Sequence, residues 1–140
     1  MNNIEVLKDS ENERPIPNIW RGTFSKIIHS FVKQDFGLSE KIKNVSPVSE
    51  ETAIQIKEYI KDYGKTLIEL PKETWDSSIY IWAENHWDVV IDLWTENEGR
   101  SDLVLSAKVT QENDTYLVEI YMVYVPVSYT HLTLPTIYSV

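Results

Sequence analysis

Cysteine is absent from the 140-residue chain, which excludes disulfide bonds, a nucleophilic thiolate and a cysteine-ligated zinc site. Glycine is scarce, with four residues, and no phosphate-binding loop or dinucleotide fingerprint occurs among them. The chain also contains no nucleophile elbow and no HExxH segment. We therefore expect no catalytic residues of a recognised motif, no bound cofactor and no metal site.

Basic residues are also few, since 13 Lys and Arg side chains stand against 22 Asp and Glu, for a formal net charge of −9. Such a field repels a phosphate backbone, so the composition argues against nucleic-acid binding and is compatible with a basic protein partner. No apolar run reaches the length that crosses a bilayer, and we expect no membrane insertion. The chain begins without the basic and apolar regions of a signal peptide, which favours a cytoplasmic location.

The overall composition is that of an ordinary soluble globular protein, with 42% hydrophobic and 25% charged residues. A chain of this length buries one core but not comfortably two. The polar start with its two prolines predicts a loose N-terminal arm over residues 1–19, followed by a single domain over residues 20–126.

Two segments have the one-face apolar periodicity of helices. In the first, apolar residues recur from Phe24 to Val32, and Thr23 is the expected N-cap. In the second, Ser49 is the expected N-cap and Gly64 supplies the C-terminal stop.

The periodicity changes to two residues after a short helical turn over Pro71–Trp75. It is clearest from Trp87 to Thr95, where the odd positions are apolar and the even positions carry two acids and an indole. The sequence predicts an α+β fold in which the helices pack on one face of a four-stranded antiparallel meander. The predicted strands are Ile79–Ala83, Trp87–Thr95, Asp102–Thr110 and Thr115–Val125.

Register and position can be predicted for the last two strands. A plain four-residue loop over residues 96–99 pairs Thr95 with Arg100. It then sets the dry, odd-numbered positions of one strand opposite the even-numbered positions of the next. We therefore predict a bulge with Gly99 in a left-handed conformation, which restores the match. The last strand is apolar on both faces, which is typical of an interior position or of an edge that another chain covers.

Candidate functional residues concentrate where tryptophan and acids occur together, and four of the five tryptophans lie between residues 75 and 94. We expect Trp82 and Trp94 on the wetter face of the sheet and Trp87 in the core. The candidate binding surface consists of Trp82, Asp88, Asp92, Trp94, Glu96, Glu98, Arg100 and Asp102. Two interpretations are open: the indoles cover the sheet for structural reasons, or they form a recognition surface. Arg100 is expected to form an ion pair with one of the surrounding acids.

An enzymatic interpretation is disfavoured because the acids lack a catalytic arrangement. Asp88 and Asp92 share a face but lie roughly 13 Å apart at the rise of a strand, too far to share a proton. Asp92 and Asp102 come closer only if both occupy one face across the hairpin. His86 is distant from these acids, and His29 is expected to be solvated.

The segment Trp87–Leu103 reads WDVVIDLWTENEGRSDL; an LPxxxW segment that starts at Leu70 precedes it, and a strand that ends in Val125-Pro126 follows it. In these motifs the chain resembles a family of small bacterial proteins of unknown function, over most of residues 20–126. The resemblance implies no activity, cofactor or catalytic residue. The order of helices before strands is also similar to that of the ketosteroid-isomerase and nuclear-transport-factor cone. That alternative fold places the acids and indoles in a pocket.

Residues 127–136 read VSYTHLTLPT and resemble an in-frame translation of the transposon-end adapter used to prepare sequencing libraries. We therefore expect residues 127–140 to be a non-native tail and the native sequence to be truncated near Pro126. This expectation removes His131 from any candidate site.

Two functions from different classes follow. The first is a noncatalytic protein-binding module, with a toxin-immunity-like protein as its sharpest form, because the chain is small, acidic, aromatic-rich and without catalytic motifs. The second is a small-molecule-binding or enzymatic cone domain, which requires a cavity lined by Trp82, Asp92, Trp94 or Asp102.

Overall fold

A computed structural model describes residues 6–126 of the chain, and two helices precede the last four strands of its sheet. Helix α1 spans Asn18–Val32, helix α2 spans Glu50–Tyr63, and a short 3-10 turn spans Lys72–Asp76. Within residues 6–126, no helix combines the length and the apolar character needed to cross a bilayer. The segment 127–140, predicted to derive from an adapter, lies outside the described residues.

The sheet is antiparallel and its strands lie in chain order, so the predicted meander is present. Its strands are β1 (Arg14–Pro15), β2 (Ile79–Ala83), β3 (His86–Thr95), β4 (Gly99–Glu112) and β5 (Thr115–Tyr124). The class is α+β as predicted, but the predicted count of four strands is wrong by one. The additional strand β1 has only two residues, too few to produce a periodic signal, and it pairs with the start of β2.

Helix α1 begins earlier than its sequence pattern predicted. Thr23 is not the N-cap, because the helix already starts at Asn18 after the extended residue Pro17. Trp20 lies one turn before Phe24, is only 2% exposed, and extends the apolar stripe toward the N-terminus. The burial of its indole outweighs the presence of a glycine in the following turn.

Gly22 therefore lies inside α1, where a methyl group would meet no atom of residues 6–126 within 4 Å. We expect Gly22→Ala to raise the free energy of unfolding by about 0.5–1 kcal/mol, because alanine restricts the unfolded chain and favours helix. Urea unfolding measures the change. The matched control is Gly64→Ala, which should lower stability because Gly64 ends α2 at a φ of 83°. A loss of stability in Gly22→Ala would indicate that α1 begins after Thr23, as the sequence pattern predicted.

The ends of α2 follow the prediction. The Ser49 hydroxyl accepts a hydrogen bond from the Thr52 N–H at 3.1 Å, and Gly64 adopts the left-handed conformation that closes the helix. Glu50 and Glu51 lie in the first turn, where the helix dipole favours negative charge.

The core lies between the helices and one face of β3. The odd residues Trp87, Val89, Ile91 and Leu93 are each at most 1% exposed, as their alternation predicts. Trp20 of α1 packs edge-on against Trp87, with ring centroids 5.5 Å apart. The helices thus cover the odd face of β3, and its even residues point to the other side of the sheet.

The hairpin between β3 and β4 contains the predicted glycine geometry. Gly99 has a φ of 83° and pairs with Thr95, so odd residues face odd residues. A further irregularity was not predicted: Trp94 faces Arg100, whereas Asp92 faces Val104, so β4 carries two additional residues between these pairs. Parity is preserved and the dry faces still coincide.

Strand β5 forms an edge of the sheet, and the same chain covers it. The Val118 N–H donates to the Asn44 carbonyl, and the Val118 carbonyl accepts from the Ser46 N–H, both at 2.8 Å. The Gln55 side-chain amide donates to the Val123 carbonyl at 2.8 Å and accepts from its N–H at 3.3 Å. The expectation of an interior strand is wrong among the described residues, where α2 and its preceding connector satisfy the peptide groups of Val118 and Val123 at this edge.

Candidate functional site

The sheet separates the predicted tryptophans onto opposite faces. Trp82 pairs directly with Trp87, so both indoles point toward the helices, with ring centroids 4.9 Å apart. The Lys8 ammonium lies 5.0 Å from the Trp82 ring and covers it from the N-terminal segment. The expectation that Trp82 shares the wetter face with Trp94 is therefore wrong.

The side of the sheet away from the helices, here called the outer face, is organised in cross-strand rows. One row is charged, two rows are largely apolar, and the row at the β3–β4 hairpin holds an indole and a guanidinium. In this order the rows are Ile81-Asp88-Lys108-Glu119, Ile79-Val90-Ser106-Met122, Asp92-Val104-Tyr124 and Trp94-Arg100. The middle rows form an apolar strip with charged side chains at one side and aromatic and cationic groups at the other.

Asp92 lies within this surface, but its polar atoms are engaged by the segment before β2. Its carboxylate accepts a short hydrogen bond from the Ser77 hydroxyl. Its carbonyl accepts from the Thr74 hydroxyl at 2.6 Å, and its N–H donates to the Ser78 hydroxyl at 2.9 Å. Asp92 thus fastens the 3-10 turn to β3, which is a structural role.

Glu98 and Asp102 are attached to the end of α2. The Tyr63 hydroxyl donates to the Glu98 carboxylate at 3.0 Å and accepts the Asp102 N–H at 3.1 Å. The hydrogen bond from the Thr95 hydroxyl, together with that from Tyr63, holds the pKa of the Glu98 carboxyl below its usual value. Burial and the neighbouring Glu98 raise the pKa of the Tyr63 phenol. This network positions the hairpin on α2, and Glu96 stays exposed at its tip.

The acids do not form a catalytic pair. Asp88 lies 2.9 Å from His86 Nε2, whereas Asp92 bonds to Ser77, so each carboxylate has a partner of its own. Asp102 does not face Asp92, because the additional residues of β4 place Val104 there.

The Arg100 side chain is exposed, and the neighbouring Trp94 indole is half-buried. Arg100 makes no ion pair within 4.0 Å among the described residues, so the expected internal pairing is wrong. The Trp94 indole N–H is buried and has no acceptor in the part of the chain that the structure describes. The indole ring lies beside Gly99, where an added methyl group would approach it to 3.9 Å. This pair has the composition of an interface hot spot.

The cone alternative requires a cavity lined by Trp82, Asp92, Trp94 or Asp102, and the structure divides these residues between the two faces of the sheet. Trp82 lies on the helix side of the sheet, and Asp92 and Trp94 lie on the outer face. The space between helices and sheet is filled by fully buried side chains, among them Phe24, Phe31 and Ile91. Within residues 6–126, no group of three or more His, Asp or Glu side chains is placed to hold a metal ion.

The apolar strip was missed by sequence reasoning. Val90, Val104, Met122 and Tyr124 lie at outward positions, and of these Met122 is 39% exposed while Val104 is only 4% exposed. The signal for the strip was the apolar character of both faces of β5, which was interpreted as an interior position or a covered edge.

Negative charge concentrates in the same part of the chain. Residues 79–126 contain nine acidic side chains and two basic ones, Arg100 and Lys108, so most of the net charge of −9 belongs to the sheet. Lys108 is partly neutralised by Glu119, 3.7 Å away.

Comparison with known proteins gives a family without an assigned activity. Residues 28–126 match a family model described as a domain of unknown function (DUF7668). No curated protein and no solved structure matches the chain.

Proposed function

We propose that this chain, which belongs to the DUF7668 family of domains of unknown function, is a noncatalytic module that binds a basic protein through the outer face of its sheet. The observation that carries the proposal is the apolar strip of the outer face, where Met122 is 39% exposed and Ile79, Val90 and Tyr124 are partly exposed. Antiparallel sheets usually solvate such a face with alternating polar residues. A partly exposed apolar strip with polar groups along its edges favours a protein partner.

The side chains around the strip support both a protein partner and its basic character. Asp88 and Glu119 flank Lys108 along one side of the strip, and residues 79–126 as a whole carry nine acidic and two basic side chains. This net negative charge steers a basic partner toward the surface and disfavours acidic ones. At the other side, the exposed Arg100 guanidinium offers hydrogen bonds for the partner to accept.

Neutralisation of a basic toxin is the sharpest form of this function. A small acidic chain without a catalytic arrangement needs only a complementary surface to block a partner's active site. A gene for a secreted toxin beside the gene for this chain would favour this form.

The test is affinity capture from a lysate of the source organism with immobilised full-length chain and two matched variants. Met122→Glu places a charge in the outer strip, and Ile54→Glu places the same charge on α2, where Ile54 is 49% exposed. We expect a basic protein to be retained by the wild-type chain and by Ile54→Glu and to be lost with Met122→Glu. Reconstitution from purified components then establishes direct binding. Retention by Met122→Glu, or a retained protein with an acidic surface, would contradict the proposal.

A further inference from the structure

We propose that the cavity between the C-terminal ends of α1 and α2 binds a small amphipathic carboxylate, with an anionic head and an apolar chain. The cavity has a volume of about 430 Å³, within the range of small-molecule sites. It lies on the helix side of the molecule and is separate from the outer face of the sheet.

The floor of the cavity is apolar and fixed. It is formed by Phe31 and Val32 at the end of α1, by Phe36, by Ile60 of α2 and by Leu67. Phe31, Ile60 and Leu67 also belong to the core and are at most 9% exposed. Such a floor offers an apolar chain a surface that already exists before binding.

The rim of the cavity carries three ammonium groups. Lys57 and Lys61 are one turn apart on α2, and Lys65 follows Gly64 at the end of the helix. No acidic residue lines the cavity, and none of these lysines makes an ion pair within 4.0 Å among residues 6–126. Like charges one turn apart destabilise a helix, and a bound anion would remove that cost. In a chain with a net charge of −9, this local excess of positive charge is complementary to an anion.

The surroundings favour a single negative charge over a polyanion such as a nucleotide. Val32 and Gly64 mark the C-terminal ends of both helices, where the partial negative charge of the dipoles opposes a bound anion, and opposes a polyanion more strongly than a single carboxylate. Among residues 6–126, the rim contains no arginine fork and no helix N-terminus, which are the usual binders of phosphate groups. A carboxylate with an apolar chain matches both the rim and the floor.

Calorimetric titration of the full-length chain with octanoate, 1-octanol and acetate tests the proposal. We expect saturable binding of octanoate and an affinity at least about tenfold lower for octanol and for acetate, which lack the charge and the chain respectively. The methyl NMR signals of Ile60 and Leu67 should shift with octanoate. Absence of saturable octanoate binding, or equal binding of octanol, would overturn the proposal.

Two triple variants locate the charge requirement. The first neutralises the rim with Lys57→Gln, Lys61→Gln and Lys65→Gln. The second removes the same charge from the neighbouring groove beside α1 with Lys26→Gln, Lys41→Gln and Lys43→Gln. We expect the first to weaken octanoate binding at least about tenfold and the second to leave it unchanged. If the rim lysines serve only the helix end, the first variant loses thermal stability and keeps its affinity, which would refute the proposal.

Discussion

Replacing Trp87 with alanine is expected to lower the free energy of unfolding by about 3–5 kcal/mol, the usual cost of removing a fully buried large aromatic side chain. The Trp87 ring packs against Trp20, Trp82 and Tyr116, and its indole N–H donates to the Leu7 carbonyl at 2.9 Å. The substitution removes these contacts and leaves a cavity in the centre of the core. Urea unfolding followed by far-UV circular dichroism measures the loss.

Trp94 provides the matched control because it lies on the same strand and points to the opposite face. We expect Trp94→Ala to cost about 1 kcal/mol or less, since the indole is half-buried and its N–H has no acceptor among the described residues. If Trp87→Ala leaves too little folded protein to measure, Trp87→Phe gives a smaller loss of the same origin. Equal losses at Trp87 and Trp94 would contradict the assignment of the two faces.

The largest effect on binding is expected at Trp94. With the captured basic protein, Trp94→Ala should weaken the complex by about 2 kcal/mol, roughly 30-fold, as for an aromatic hot-spot residue. Ile19→Ala is the control, because Ile19 is 55% exposed and lies on α1. Surface plasmon resonance gives both dissociation constants. If the two variants bind alike, Trp94 is part of the structural cover of the sheet and not an anchor.

Trp82 and Trp94 were both predicted on the wetter face of the sheet, and the prediction is correct for Trp94 alone. Alternation within one strand is local, so the faces of β3 were predicted correctly from Trp87 to Thr95. The face of Trp82 depends on the length of the preceding turn. The predicted strands Ile79–Ala83 and Trp87–Thr95 leave a turn of three residues between them, whereas in the structure Ala83 pairs with His86 across two residues, with Glu84 at a φ of 64°. A shift of one residue reverses every side chain, and a glutamate gives no signal for a left-handed turn residue.

Contacts between distant parts of the chain limited the rest of the prediction. The Gln55 amide satisfies the Val123 peptide 68 residues away, and this contact gave no local signal at either position. The engagement of Asp92 by Ser77 likewise depends on the tertiary position of the 3-10 turn. In contrast, the left-handed conformation of Gly99 was predicted correctly. The dry positions of both flanking strands are odd-numbered, so only a loop that pairs odd residues with odd residues brings them to one face.

The central claim is that the partner binds the outer face of the sheet. The most direct test compares the dissociation constant of Met122→Glu with that of Ile54→Glu. Both variants add one negative charge at an exposed apolar position, so they differ in location and not in chemistry. The proposed interface predicts that Met122→Glu binds the basic partner at least about tenfold more weakly than Ile54→Glu, which itself binds like the wild-type chain. Equal dissociation constants, or a loss confined to Ile54→Glu, would contradict the proposed function.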